Sequence, residues 1–203
     1  MSATIPGPDG RPRCRWCGAA PEFPAYHDTE WGFPVADDRR LFEKLSLEGF
    51  QSGLSWRTIL AKRENFRAAF HGFDFERIAG FAERDVGRLL ADPGIVRHRG
   101  KIEAVVNNAR RACELVAREG SLAAFVWRYE PDPDGLAEPQ TVSTSAEAVA
   151  LSKELKKRGW RFVGPTTVYA FMQAMGLVND HVAGCVIREQ VERARGAFAR
   201  PGR

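Results

Sequence analysis

The chain has 203 residues, 44% of them hydrophobic, which suits one globular domain with a real core and argues against a disordered polymer. Lys and Arg number 30 against 26 Asp and Glu, a formal charge of +4 that admits a nucleic-acid partner but falls far short of a histone-like polycation. No basic-then-apolar leader and no apolar run near the roughly 18 residues of a membrane span is present. A soluble, cytoplasmic protein is expected, whose Cys14, Cys17, Cys113 and Cys185 are thiols or metal ligands rather than disulfides.

Residues 1–13, rich in Pro, Gly and Arg without apolar period, read as a disordered leader. Helical periodicity then recurs over 38–51, 55–70, 83–92, 101–119, 122–129, 144–158 and 165–175, and no segment reads as a strand. Thr144 and Glu147 have capping-box spacing, Gly159 follows a basic last turn, and Pro165 suits a first helical turn. Residues 128–143, with Pro-Asp-Pro-Asp-Gly at their centre, read as a surface loop, and 188–203 as a charged, disordered tail. The predicted architecture is one all-α domain over 14–187.

Three groups of residues invite chemistry. Cys14 and His27 near one end, and His181 and Cys185 four apart near the other, make two thiolates and two imidazoles, a closed tetrahedral set for structural zinc. Chance pairing among four Cys and four His is the competing reading, and Cys17 is a rival first ligand. On the helix through Leu41, Phe42 and Leu45, the apolar stripe is interrupted at Glu48, Gly49, Ser52 and Gly53 before Trp56 restores it. The two glycines imply a helix break or a close approach. An inward carboxylate beside an indole suits a flat cationic ligand, although Glu48 also suits capping the next segment or pairing with a lysine. Finally, residues 92–101 form a glycine-flanked turn leading into a helix, with Arg97, Arg99 and Lys101 adding charge; this reads either as a phosphate clamp or as a solvated basic turn.

Longer motifs bring these pieces together: Ala25-Tyr26-His27-Asp28-Thr29-Glu30-Trp31-Gly32, Leu47-Glu48-Gly49 through Gly53-Leu54-Ser55-Trp56, Lys62-Arg63-Glu64-Asn65, the run Ile95 to Ile102, Leu155-Lys156-Lys157-Arg158-Gly159, and Gly176 through Val182. In this order the chain resembles the 3-methyladenine DNA glycosylase I family of helix-hairpin-helix glycosylases, from about Cys14 to Cys185. The resemblance implies a structural zinc on Cys14, His27, His181 and Cys185, tying the termini together. It implies base recognition by Glu48 between Tyr26, Trp56 and Trp16, DNA anchoring by Arg97, Arg99, Gly100 and Lys101, and a gap-filling role for Gly53 and Leu54. Cys113 is expected to be a buried thiol without metal.

The implied activity is excision of 3-methyladenine from alkylated duplex DNA by a monomer, with the free base as product. Alkylation at N3 makes the base cationic, so it departs neutral without an acid to protonate it. The enzyme's task reduces to extruding the nucleotide, selecting the lesion and stabilising an oxocarbenium-like sugar, with Glu48 as the catalytic-site carboxylate. This fits Asn179 at the position where related glycosylases carry a catalytic Asp. Lys101 suits phosphate contact better than Schiff-base chemistry, so a monofunctional hydrolase is expected. A zinc-stabilised DNA-binding module without catalysis is the alternative; a hydrolytic metal is disfavoured, because four ligands leave no open position.

Overall fold

The structure, a computed structural model, describes residues 2–202; Met1 and Arg203, the outermost residues of the two segments read as disordered, lie outside them. A short antiparallel hairpin comes first, β1 (Thr4–Pro6) paired with β2 (Pro12–Cys14) in the register Thr4 to Cys14. Helices follow: α1 (Phe23–Thr29), α2 (Asp38–Gln51), α3 (Trp56–Ala61), α4 (Arg63–Ala69), α5 (Phe75–Ala79) and α6 (Glu83–Ala91). The second half holds α7 (Arg99–Glu119), α8 (Leu122–Val126), α9 (Ala146–Lys157), α10 (Pro165–Ala174) and α11 (Arg188–Ala197). No helix is long and apolar enough to cross a membrane, among the described residues.

Helix α2 is the axis of the molecule. Asp37 caps it, its carboxylate accepting from the Arg40 N–H at 2.8 Å, and from Leu41 to Phe50 every residue except Glu43 is buried. Such all-round burial marks a helix enclosed by its neighbours, here α7, α8 and α10. Side chains fasten this centre to the rest. Asp38, in the first turn of α2, accepts from the Leu122 and Ala123 N–H groups that open α8, and Trp127 donates its indole N–H to Val35 at 2.8 Å.

Several boundaries correct the sequence expectation. Residues 55–70 are two helices, because Lys62 (φ −101°, ψ 2°) is not helical. The cap of α9 is Ser145, whose hydroxyl accepts from Ala148 at 3.2 Å, rather than a Thr144–Glu147 box. Helices α1 and α5 are too short for their periods to show. The segments read as disordered are ordered over their described residues: the leader forms the hairpin, and α11 occupies most of the tail. Its sequence lacks an apolar stripe, yet Val191 is fully buried, and Arg195 inserts among the helices, donating to the Gly176 carbonyl and pairing with Glu130 at 3.2 Å.

Candidate functional site

The two glycines after Glu48 have different roles. Gly49 remains helical, with Phe162 lying against it, whereas Gly53 takes φ +76° in the turn that ends α2. That turn carries Leu54 into solvent at 43% exposure, and Ser55 then caps α3, placing Trp56 at its first position. Trp56 thereby returns to face Glu48. Together with Tyr26 from α1 they bound a cavity of about 320 Å³, completed by Trp16, Trp31, Gln51, Gln140, Gln173 and Asp180.

A cation already occupies its wall. Lys44, one turn before Glu48 on α2, is buried; its ammonium lies 2.7 Å from Glu48 Oε1, donates to the Tyr26 hydroxyl at 2.8 Å and sits 3.3 Å from the centroid of the Trp56 ring. Burial pushes Lys44 below the ordinary lysine range, opposed by the Glu48 charge, while burial and that same carboxylate hold the Tyr26 phenol well above its usual value. On the opposite side burial raises Asp180, whose carboxylate accepts from the Gln140 backbone N–H at 3.0 Å and from Gln173 at 2.6 Å. The loop over 128–143 thus reaches the cavity through Gln140 and Val142 instead of lying apart from it.

Behind Trp16 lies the second constellation. Cys14 at the end of β2, His27 on α1, His181 and Cys185 are all buried, and their ligand atoms lie within 4.8 Å of one another. His27 Nε2 and His181 Nδ1 are 3.1 Å apart, and the sulfur-to-nitrogen separations recorded are 3.6–3.7 Å. A tetrahedral ion with bonds of about 2.0–2.3 Å requires edges of about 3.3–3.8 Å, so the set fits a metal. The outer shell fits as well. His27 Nδ1 contacts Asp28 at 2.6 Å, Asp28 is held by Arg13, and His181 Nε2 lies 3.0 Å from the Trp31 carbonyl, leaving the opposite nitrogens free to ligate. Cys185 is held well below the usual thiol range by its hydrogen bond with Cys14, reinforced by both imidazoles. Trp16 packs edge-on against His27 and against Tyr26, joining the cluster to the cavity wall.

The chain matches the methyladenine glycosylase family over residues 16–189. It belongs to that family. DNA-3-methyladenine glycosylase 1 of Escherichia coli strain K12 is 51% identical over 177 residues, which cover 85% of this chain and 95% of that one. A crystal structure of a 3-methyladenine DNA glycosylase I superposes with a TM-score of 0.78 at 49% identity, covering 86% of this chain and 98% of the other. A Staphylococcus aureus 3-methyladenine DNA glycosylase I, solved to explain its recognition of 3-methyladenine, gives 0.77 at 37% identity, with coverages of 83% and 92%.

In this methyladenine glycosylase, Glu48, Tyr26, Trp56 and Trp16 meet at one cavity, and Cys14, His27, His181 and Cys185 meet at one cluster. Cys17 is buried in a separate apolar group with Ala20 and Phe23, its thiol pushed up to about 11 by burial, and is outside the four. Cys113 is only half-buried, on α7, with its thiol near the Phe75 carbonyl. The turn between α6 and α7 is built by the Lys62-to-Asn65 motif: Lys62 donates to the Pro93 and Gly94 carbonyls and Asn65 to that of Gly94. Arg97 and Arg99 are exposed, Arg99 sharing Glu83 and Glu103.

Lys101 departs from the expected phosphate contact of its side chain. It is buried, and its ammonium donates to the Phe50 and Ser52 carbonyls at 2.9 and 2.5 Å, capping the end of α2. Sequence reasoning passed over Lys44, Asp180, Gln140 and Gln173. For Lys44 a signal exists: it falls in the buried stripe of α2, four residues before Glu48.

Proposed function

We propose that this methyladenine glycosylase hydrolyses the N-glycosidic bond of 3-methyladenine in alkylated duplex DNA, releasing the free base in base-excision repair. The observation that carries the reading is the cavity itself, where one carboxylate and the rings of Tyr26 and Trp56 surround a position that holds a positive charge. A base methylated at N3 brings that charge and a flat face, and ordinary adenine brings only the face.

The DNA-anchoring element is the turn over 92–101, as the hairpin of a helix-hairpin-helix unit. Its exposed Arg97 and Arg99 and the N–H groups of Arg99 and Gly100 at the start of α7 suit contact with backbone phosphate. The turn at Gly53 and Leu54 fills the gap left by the extruded nucleotide, Leu54 being one of the few large apolar side chains in solvent. Glu48 selects the lesion and stabilises positive charge that moves to the sugar as the base leaves neutral. The Cys14, His27, His181 and Cys185 cluster is a structural zinc site: borderline-soft thiolate and imidazole suit that ion, and the closed shell keeps it out of the reaction. The same reading takes the enzyme as monofunctional and monomeric, with residues 14–187 as its functional domain.

Chromatography of bases released from methylated duplex DNA tests the reading. Release of 3-methyladenine, lost in E48Q, is the expected result, and retention of every methylated base on the DNA refutes it.

A further inference from the structure

The ammonium of Lys44 is fully partnered: its three N–H bonds are met by Glu48, by the Tyr26 hydroxyl and by the face of Trp56. Glu48 in turn has no other ion-pair partner among the described residues. A cationic base drawn to the same carboxylate and indole therefore meets like charge at contact distance, in a site where little water screens it. Asp180 lies across the cavity, so Glu48 is the one carboxylate in contact with this position, and it cannot balance two adjacent cations.

We infer that Lys44 is the resident cation of this pocket and a specificity-determining residue, and that a cationic purine binds by exchange with it: Lys44 stays in place as a neutral amine and its proton passes to solvent. The inference rests on reading the pocket as the lesion site. The charge balance closes, with one positive charge entering on the base and one leaving as a proton. Swinging the ammonium out is no alternative, because the stem of Lys44 is packed within the buried face of α2 and the incoming base fills the cavity that leads to water.

The charged and titratable groups around Lys44 agree. Glu48 faces it from α2 and Tyr26 from α1. Arg63 of α4 disfavours the Lys44 charge and its partner Glu30 favours it more weakly, Trp56 of α3 is uncharged, and Asp180 across the cavity is bound to Gln140 and Gln173. Burial already favours loss of the Lys44 proton, and Glu48 is what retains it. A neutral purine gives Glu48 no replacement charge, so the ion pair persists and the purine gains no hold on the carboxylate. The exchange thus makes positive charge a condition of entry.

Calorimetric titration of the full chain with 3,9-dimethyladeninium tests this, since that purine is permanently charged and carries a methyl group in place of the sugar. Buffers of different ionisation enthalpy give the proton count. The unsubstituted protein is expected to release about one proton per bound purine at pH 7, with affinity rising about tenfold per pH unit from 6 to 8. K44M and K44Q are expected to release none, to bind independently of pH, and to bind at least about tenfold more tightly at pH 7, their site being always competent. If E48Q binds the purine as the parent does, or the parent binds none, the pocket reading itself fails. If binding needs Glu48 but no proton is released and the Lys44 variants bind no tighter, the pocket reading stands and the exchange is overturned. The proton count uses the unsubstituted protein, so it survives a variant that does not fold.

Discussion

Replacing Glu48 by Gln should unsettle the fold before any substrate is present. The change keeps the size of the side chain and an oxygen near Lys44, but removes the carboxylate charge paired with a buried ammonium; the two side chains are 5% and 7% exposed. Breaking a buried pair by removing one partner costs about 3–5 kcal/mol. An upper limit comes from the escape open to Lys44, which is to give up its proton. From the ordinary lysine value of 10.5 this costs about 4.8 kcal/mol at pH 7, at roughly 1.36 kcal/mol per pH unit. For a chain of this size the loss lowers Tm by roughly 6–20 °C. The sign with pH follows from the protons bound. In E48Q the folded Lys44 is depressed and the unfolded one is not, so between those two values the unfolded state holds the extra proton and stability rises with pH. Urea unfolding at pH 7, 8 and 9 should therefore show the deficit of E48Q shrinking by up to about 1.36 kcal/mol per unit. The double variant K44M/E48Q should recover most of it, an apolar pair being no worse than the ionic one. A deficit below about 1 kcal/mol that stays flat with pH would refute the picture of a buried cation leaning on Glu48.

Metal analysis of the purified protein should give one zinc per chain, and C185S or H181A should lose it together with thermal stability while the unfolding stays cooperative; full stability without metal contradicts the clasp. R97A and R99A should weaken binding to every duplex alike and reduce the salt slope by about one unit each. K101M, by contrast, should leave that slope unchanged and lower stability by about 1.5–3 kcal/mol per lost charged hydrogen bond; a salt slope reduced as in R97A would show that the ammonium turns outward to phosphate. Truncation after Ile187 removes Val191 and the Arg195 contact with Glu130, and should lower Tm measurably, whereas a disordered tail would leave it unchanged.

Long helices with apolar stripes were legible in the sequence, as were the residues that meet in the two constellations. What escaped has identifiable causes. Helix α11 carries a single apolar anchor, Val191, and is docked by a buried arginine that no periodicity reveals. The hairpin before Cys14 owes its order to strand pairing and to Val186, whose N–H reaches the Pro12 carbonyl at 3.0 Å from the other end of the chain. Lys101 looked like a phosphate ligand because its neighbours are basic. Only the fold reveals that the carbonyls at the end of α2 lie within its reach. For Glu48 the sequence offers a recognition carboxylate or the partner of a lysine; the structure shows the lysine partner, Lys44, at the position proposed for the ligand.

The clasp has a consequence for how this chain is made. Cys14, the first of the four clustered residues, leaves the ribosome long before His181 and Cys185, and no subset of the four closes a tetrahedron. During synthesis, then, the helices α1 to α10 can collapse around α2 while Cys14 and His27 wait as an open half-site, and the hairpin lacks its contact with Val186. Only once residue 185 has emerged could one ion, bound at the proposed site, draw the two ends together. A metal at this proposed site would thus be a late lock on an already folded core, felt at the cavity wall through Trp16, which rests on His27 and on Tyr26.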